Sequence, residues 1–318
     1  MICYCFATLL GRPRLQKEKK CYNISMAVSM RKQIAQNKRN TIIEMILFII
    51  FVSVIGYLFA WLADDISIMI WFFVVSAVYA TIQYFLADKI AIASSGAHEI
   101  TKVDNPRYYE IVRGLADDAK LPMPRVFIIN DSAPNAFATG RDPEHACVAA
   151  TTGLLEIMND KELRAVMGHE LSHVKNFDIR VSMIAFGLSS IVGLIADFGM
   201  RVLFYSDRDE ENNSPVGVLF SLIAIILAPI VSSIIQLSIS RQREYLADAS
   251  SANLIGNSED MISALRKLDT HARPMHQQNV ASESMYIANP LKKTVIAQLF
   301  STHPSIESRI ARLEDGTK

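Results

Sequence analysis

The sequence predicts a mainly α-helical protein with four transmembrane helices in two hairpins and a cytosolic α+β domain carrying a small β-sheet. Three observations lead there. Two long apolar runs, Thr41 to Leu62 and Ser67 to Leu86, stand in tandem near the N-terminus. Two more, Val181 to Tyr205 and Val216 to Ile239, flank an acidic loop containing Asp207, Asp209, Glu210 and Glu211. Between the pairs, amphipathic and short apolar stretches broken by turn residues read as a polar folded domain.

Composition agrees with a membrane protein. Hydrophobic residues make up 51% of the 318, a high share for a soluble chain. Lys+Arg and Asp+Glu balance at 32 each, so no global basic field exists to attract nucleic acid, and none is expected as a partner. The four cysteines, Cys3, Cys5, Cys21 and Cys147, suit neither a disulfide framework nor a four-cysteine metal site.

Residues 1–40 form a basic N-terminal segment with Arg12, Arg14, Lys17, Lys19, Lys20, Arg31, Lys32, Lys38 and Arg39. Its apolar start, Met1 to Leu10, is short and is followed by no small-residue cleavage site, so it makes a poor signal peptide. The first 29 residues stand apart from the rest, and a translation start at Met26 or Met30 is expected. Residues 41–86 form the first hairpin, each run being long enough at about 1.5 Å per residue to cross about 30 Å of hydrocarbon. The basic stretch precedes the first span, while the tight loop carries Asp64 and Asp65, which puts the N-terminus and everything after Leu86 in the cytoplasm. The alternative is a buried hairpin inside a soluble domain.

Residues 87–180 begin the soluble domain. The pattern gives a helix from Pro106 to Lys120, strands at Arg125 to Asn130, Asn135 to Thr139 and Cys147 to Thr151, and a helix from about Leu154 onward. Residues 181–239 form the second hairpin, in which Asp197 and Arg201 would each cost roughly 3 kcal/mol at the bilayer centre. Their i, i+4 spacing lets them pair near the far interface. Residues 240–318 return to a polar, helical composition and complete the domain.

His169-Glu170-Leu171-Ser172-His173 places two histidines four residues apart on one helical face, with a glutamate in reach of a water activated by a metal they share. A surface helix with two satisfied histidines is the plain alternative, but Gly168 beside the motif costs about 1 kcal/mol against alanine unless close packing requires it. A catalytic zinc needs three protein ligands and an open position. The third comes from His98, His145, His271, His276 or His303, or from acidic residues on a neighbouring helix. Glu244 and Asp248 share one face of such a helix, so one carboxylate can bind metal while the other orients a ligand histidine. A solvated acidic face pairing with Arg241 and Arg243 is the competing reading of that segment.

The stretch Gly168 to His173, followed by Arg243-Glu244-x-x-Ala247-Asp248, resembles the gluzincin pattern of the HtpX-type membrane metallopeptidases, relatives of the CAAX prenyl endopeptidases. Asn135 to Gly140 resembles the segment ahead of that family's zinc helix, and Thr302-His303-Pro304 with Arg309 resembles its C-terminal motif. The resemblance implies one Zn2+ ion on His169, His173 and Glu244, with Glu170 as general base. It implies that Asp248 supports a ligand histidine, that His303 helps stabilise an oxyanion, and that Arg309 is a structural ion-pair partner. Asn135, Ala136, Phe137 and Ala138, read as an exposed strand, would pair with an extended substrate.

The function implied is a zinc metalloendopeptidase of the bacterial inner membrane, acting at the cytoplasmic face on misfolded or damaged membrane proteins in quality control and stress response. Because His173 shortly precedes the third apolar stretch and Glu244 shortly follows the fourth, the ion should lie within about 10 to 15 Å of the bilayer. Alternatives are a processing peptidase for lipidated C-termini and an inactive metal-binding membrane regulator. The oligomeric state is left open.

Overall fold

A computed structural model of the chain describes residues 13–206, 241–276, 285–288 and 304–315. Helix α1 (Pro13–Ala63) runs unbroken from the basic segment through the first apolar run, and α2 (Ser67–Ser94) packs back along it. The turn between them uses Asp64 at φ 53° and Asp65, whose carboxylate accepts the Ser67 N–H. Both helices overrun the boundaries that composition suggests, because the polar ends of α1 and α2 still lack proline or glycine to stop them.

The apolar side chains of this hairpin face outward. Trp61 and Trp71 are 70% and 66% exposed, and Ile50, Val54, Val75 and Val78 join them on the surface. A hairpin buried in a soluble domain would hide such rings, so this face is built for lipid. The inner face packs Phe48, Ile55, Ala80 and Ala87 against Val181, Ile184 and Leu188 of helix α6 (Asp178–Ser206). Among the described residues, Lys32–Trp61 and Ser67–Ser94 are each long and apolar enough to cross a membrane. The third expected span lies within α6, and the fourth, Val216 to Ile239, falls outside the described residues.

The polar domain is built on a four-stranded sheet in the order β1-β2-β4-β3. Strand β1 (Ala97–Glu99) runs antiparallel to β2 (Arg125–Ile129), β2 is parallel to β4 (Cys147–Thr151), and β3 (Ala136–Thr139) closes the sheet antiparallel to β4. The sequence pattern locates three of these strands and misses β1, which is too short to show alternation. Helix α3 (Pro106–Ala119) starts on the Asn105 side chain, which accepts the Tyr108 N–H.

One expected helix is in fact two. Short α4 (Thr152–Ile157) ends before α5 (Asp160–Lys175), which carries the histidine motif. The break is set by Asn159, whose side chain takes the N–H groups of Lys161 and Glu162 while Glu162 returns a bond to the Asn159 N–H. This capping box terminates one helix and starts the next. Around α5 pack α3, β3, α7 (Arg241–Ile255) and α8 (Glu259–Thr270), with α9 (Ile306–Asp315) closing over α7 and α8.

Helices α5 and α7 meet at Gly168, where an added Cβ would sit 2.7 Å from the Ser251 hydroxyl. That hydroxyl donates to the Ala165 carbonyl of α5 at 2.6 Å. A Gly168→Ala variant is therefore expected to lose about 1–3 kcal/mol of stability in denaturant unfolding. Adding Ser251→Ala should recover part of the loss.

A candidate metal centre between α5 and α7

His169 and His173 project from one face of α5, as their spacing requires, and their Nε2 atoms approach to 3.1 Å. Glu244, in the first turn of α7, brings its carboxylate oxygens to 3.6 Å from His169 Nε2 and 3.7 Å from His173 Nε2. Four-coordinate zinc with bonds of about 2.0–2.1 Å separates its ligand atoms by roughly 3.3 Å, so this triangle is the right size to hold the ion.

The far sides of the two imidazoles fix which nitrogen faces inward. His169 Nδ1 lies 2.9 Å from Asp248, and His173 Nδ1 lies 2.9 Å from Asp178, the first residue of α6. Each ring donates its Nδ1 proton to a carboxylate and turns an Nε2 lone pair toward the other. Two facing lone pairs repel unless a cation or proton lies between them.

Charge leads to the same conclusion. Among the described residues at the site, the carboxylates of Glu170, Asp178, Glu244 and Asp248 and the guanidiniums of Arg243 and Arg309 are all buried. Four acids against two bases leave an excess of two negative charges, which a divalent ion balances. Burial opposes the charge on Asp248, yet Arg309 outweighs it and holds the carboxyl below its usual range. Arg309 reaches both Asp248 oxygens, at 2.8 and 2.6 Å, and also donates to the Ile287 carbonyl. It is thus the structural ion-pair partner its sequence context implies. Burial likewise pushes His169 down, whereas for His173 the carboxylates of Asp178 and Glu244 overcome burial and push it up.

Sequence spacing identifies His169, Glu170 and His173, and the structure brings Glu244 and Asp248 to them. His303 lies outside the described residues. The remaining candidate histidines are engaged elsewhere: His145 with Asp142, His271 with the Lys267 carbonyl and His276 with Asp131, while His98 sits on β1. Asp178 is missed from sequence because it belongs to the next helix, although an acid just past the second histidine is a signal worth testing in any such motif.

The expectation of an exposed strand at Asn135 to Ala138 is corrected. Strand β3 is at the sheet edge, but it and Asn135 are buried, and its outer side is bridged by Tyr286 opposite Phe137. The Ile287 N–H donates to the Ala136 carbonyl, and the Asn135 side chain both donates to the Ala288 carbonyl and accepts its N–H. A buried edge with unmet backbone groups is costly, and residues 285–288 meet that need. Of the four residues, Ala138 lines the cavity that holds His169, Glu170, His173 and Glu244.

A family model described as Peptidase family M48 matches residues 102–317. The chain belongs to peptidase family M48. Protease HtpX homologs are similar over nearly their whole length: that of Tropheryma whipplei (strain Twist) is 46% identical over 282 residues, covering 89% of this chain and 97% of the relative. That of Streptococcus gordonii (strain Challis) is 44% identical over 292 residues, with 89% and 98% covered. The crystal structure of S. mikatae Ste24p aligns with a TM-score of 0.47 at 17% identity, covering 83% of this chain and 62% of Ste24p. This M48 member is a metalloprotease, and its outward-facing apolar hairpin makes it a membrane protease.

The carboxylates of Asp178 and Glu244 that push His173 up also make a proton compete with a metal for its Nε2. Apparent zinc affinity should therefore weaken as pH falls through neutrality, by up to about tenfold per unit. Chelator-competition titrations at several pH values check this, and a flat profile would contradict it.

Proposed function

We propose that this M48 protease is a zinc endopeptidase that cleaves membrane proteins beside the cytoplasmic face of a bacterial inner membrane. The observation that carries the reading is the triangle of His169, His173 and Glu244 opening onto a cavity that Ile179 and Ser182 of apolar helix α6 also line. The site thus adjoins a helix that packs on the membrane hairpin.

A bound zinc ion supplies Lewis-acid polarisation of the scissile carbonyl and makes water a nucleophile near neutral pH. Glu170, beside His169 on the cavity wall, takes the proton from the attacking water and passes it to the departing amine nitrogen. Asp248 and Asp178 keep both imidazoles oriented with Nε2 inward throughout. Ala138 of β3 lines the cavity together with Glu170 and so bounds the space a substrate enters.

The cytoplasmic placement is supported by Lys32, Lys38 and Arg39 on the domain side of α1 and by Asp64 and Asp65 at the opposite end. At the junction of hairpin and domain, Arg180 stacks on Tyr84 and Phe177, and Arg141 on Phe85. Such a basic and aromatic belt suits the level of lipid headgroups. Four spans, counting α6 and the apolar run that follows it, would return Glu244 to the side on which His169 and His173 lie. A catalytic cavity pressed against the bilayer favours substrates that are themselves membrane-bound, and damaged or misfolded proteins in stress are the proposed class.

Replacing Glu170 with Gln should lower peptide hydrolysis in detergent by about 10²–10⁴-fold while one zinc per chain is retained. Undiminished hydrolysis with zinc still bound would overturn the assignment. In liposomes, a membrane-anchored reporter should be cut faster than the same peptide free in solution, and equal rates would remove the membrane-substrate part of the proposal.

A further inference from the structure

We propose that Asn37 and Gln33, on the membrane-anchoring helix α1, are positioning residues for the metal, acting through Asp178 on the ligand His173. This rests on the zinc site proposed above and extends it to a helix more than a hundred residues away in sequence.

The two oxygens of Asp178 divide their work. Oδ2 accepts from His173 Nδ1 at 2.9 Å. Oδ1 accepts from Asn37 Nδ2 at 2.6 Å and from Gln33 Nε2 at 3.1 Å, with Arg243 Nη1 at 3.6 Å. Asn37 is buried and also donates to the carbonyl of Asn176, at the bend where α5 gives way to α6. Gln33 and Asn37 are one helical turn apart, so a single face of α1 presents both donors to the same carboxylate. Lys38, next in the chain, stacks on Phe177 in that same bend.

An aspartate with one contact to a histidine can rotate and carry the imidazole with it. Fixing Oδ1 from α1 removes that freedom, which keeps His173 Nε2 aimed at Glu244 and His169. The apolar hairpin begins immediately after these residues, so the element that inserts in the bilayer also sets the orientation of a metal ligand. Tilt or displacement of α1 would therefore be felt as a change in metal affinity. An anchor attached only by a linker would have no such effect.

The test is zinc affinity of the full chain in detergent, measured by chelator competition on Asn37→Ala, Gln33→Ala, Asp178→Asn and the double variants. Asn37→Ala should weaken binding about tenfold, and Gln33→Ala less. In the Asp178→Asn background neither substitution should weaken it further, because its route to the metal is already cut. Unchanged affinity in the single variants, or losses that multiply in the double variants, would overturn the inference. If Asn37→Ala does not fold, the Gln33→Ala cycle decides by the same criteria. Failure of the wild-type chain to bind zinc would instead sink the metal reading itself, and this inference with it.

Discussion

The spacing of α5 and α7 is set at Gly168, where the Ser251 hydroxyl occupies the room a side chain would need and ties itself to the backbone of α5. Glu244 and Asp248 lie on the same helix as Ser251, about two turns and one turn earlier respectively. Once that contact is made, Glu244 stands over the two Nε2 atoms and Asp248 behind His169. A wider separation would move both carboxylates away from the imidazoles together. The glycine that weakens α5 as an isolated helix is thus what lets Glu244 reach the two imidazoles.

That arrangement concentrates charge where water is excluded. A buried cluster of carboxylates is stable only if its charges are met, and here the arginines meet part of the demand and leave an excess that a divalent ion would balance. Arg309 is the clearest case: fully buried on α9, it grips Asp248 with two nitrogens and the backbone of residue 287 with a third. It therefore joins α9, the segment 285–288 that covers β3 and the carboxylate behind His169 in one network. Asp178 does the same for α1, α5 and α6 on the other side of the site. The candidate metal centre lies where the apolar hairpin and the polar domain are joined.

Much of this was legible in the sequence, and the reasons are local. The histidine spacing, the paired acids at Glu244 and Asp248, the two N-terminal apolar runs and three of the strands are short-range patterns that report on a single helix face or strand. Glu244 as a ligand was one possibility among several until the two helices were seen to touch at Gly168. Asn37, Gln33 and Asp178 were invisible because their meeting depends on tertiary packing, and nothing in a run of basic residues marks two amides as partners of a distant aspartate. The burial of Asn135 to Ala138 was missed for a related reason. An edge strand looks alike in sequence whether its outer side is open or covered, and here the cover comes from residues 285–288.

The proposed chemistry requires one zinc ion held by His169, His173 and Glu244. X-ray absorption at the zinc edge, on the full chain in detergent, measures this most directly. The expected result is one zinc per chain with two imidazole nitrogens at about 2.0–2.1 Å and only oxygen completing the shell, and one fewer protein oxygen neighbour after Glu244→Ala. A sulfur neighbour at about 2.3 Å, or a spectrum unchanged by loss of Glu244, would contradict it.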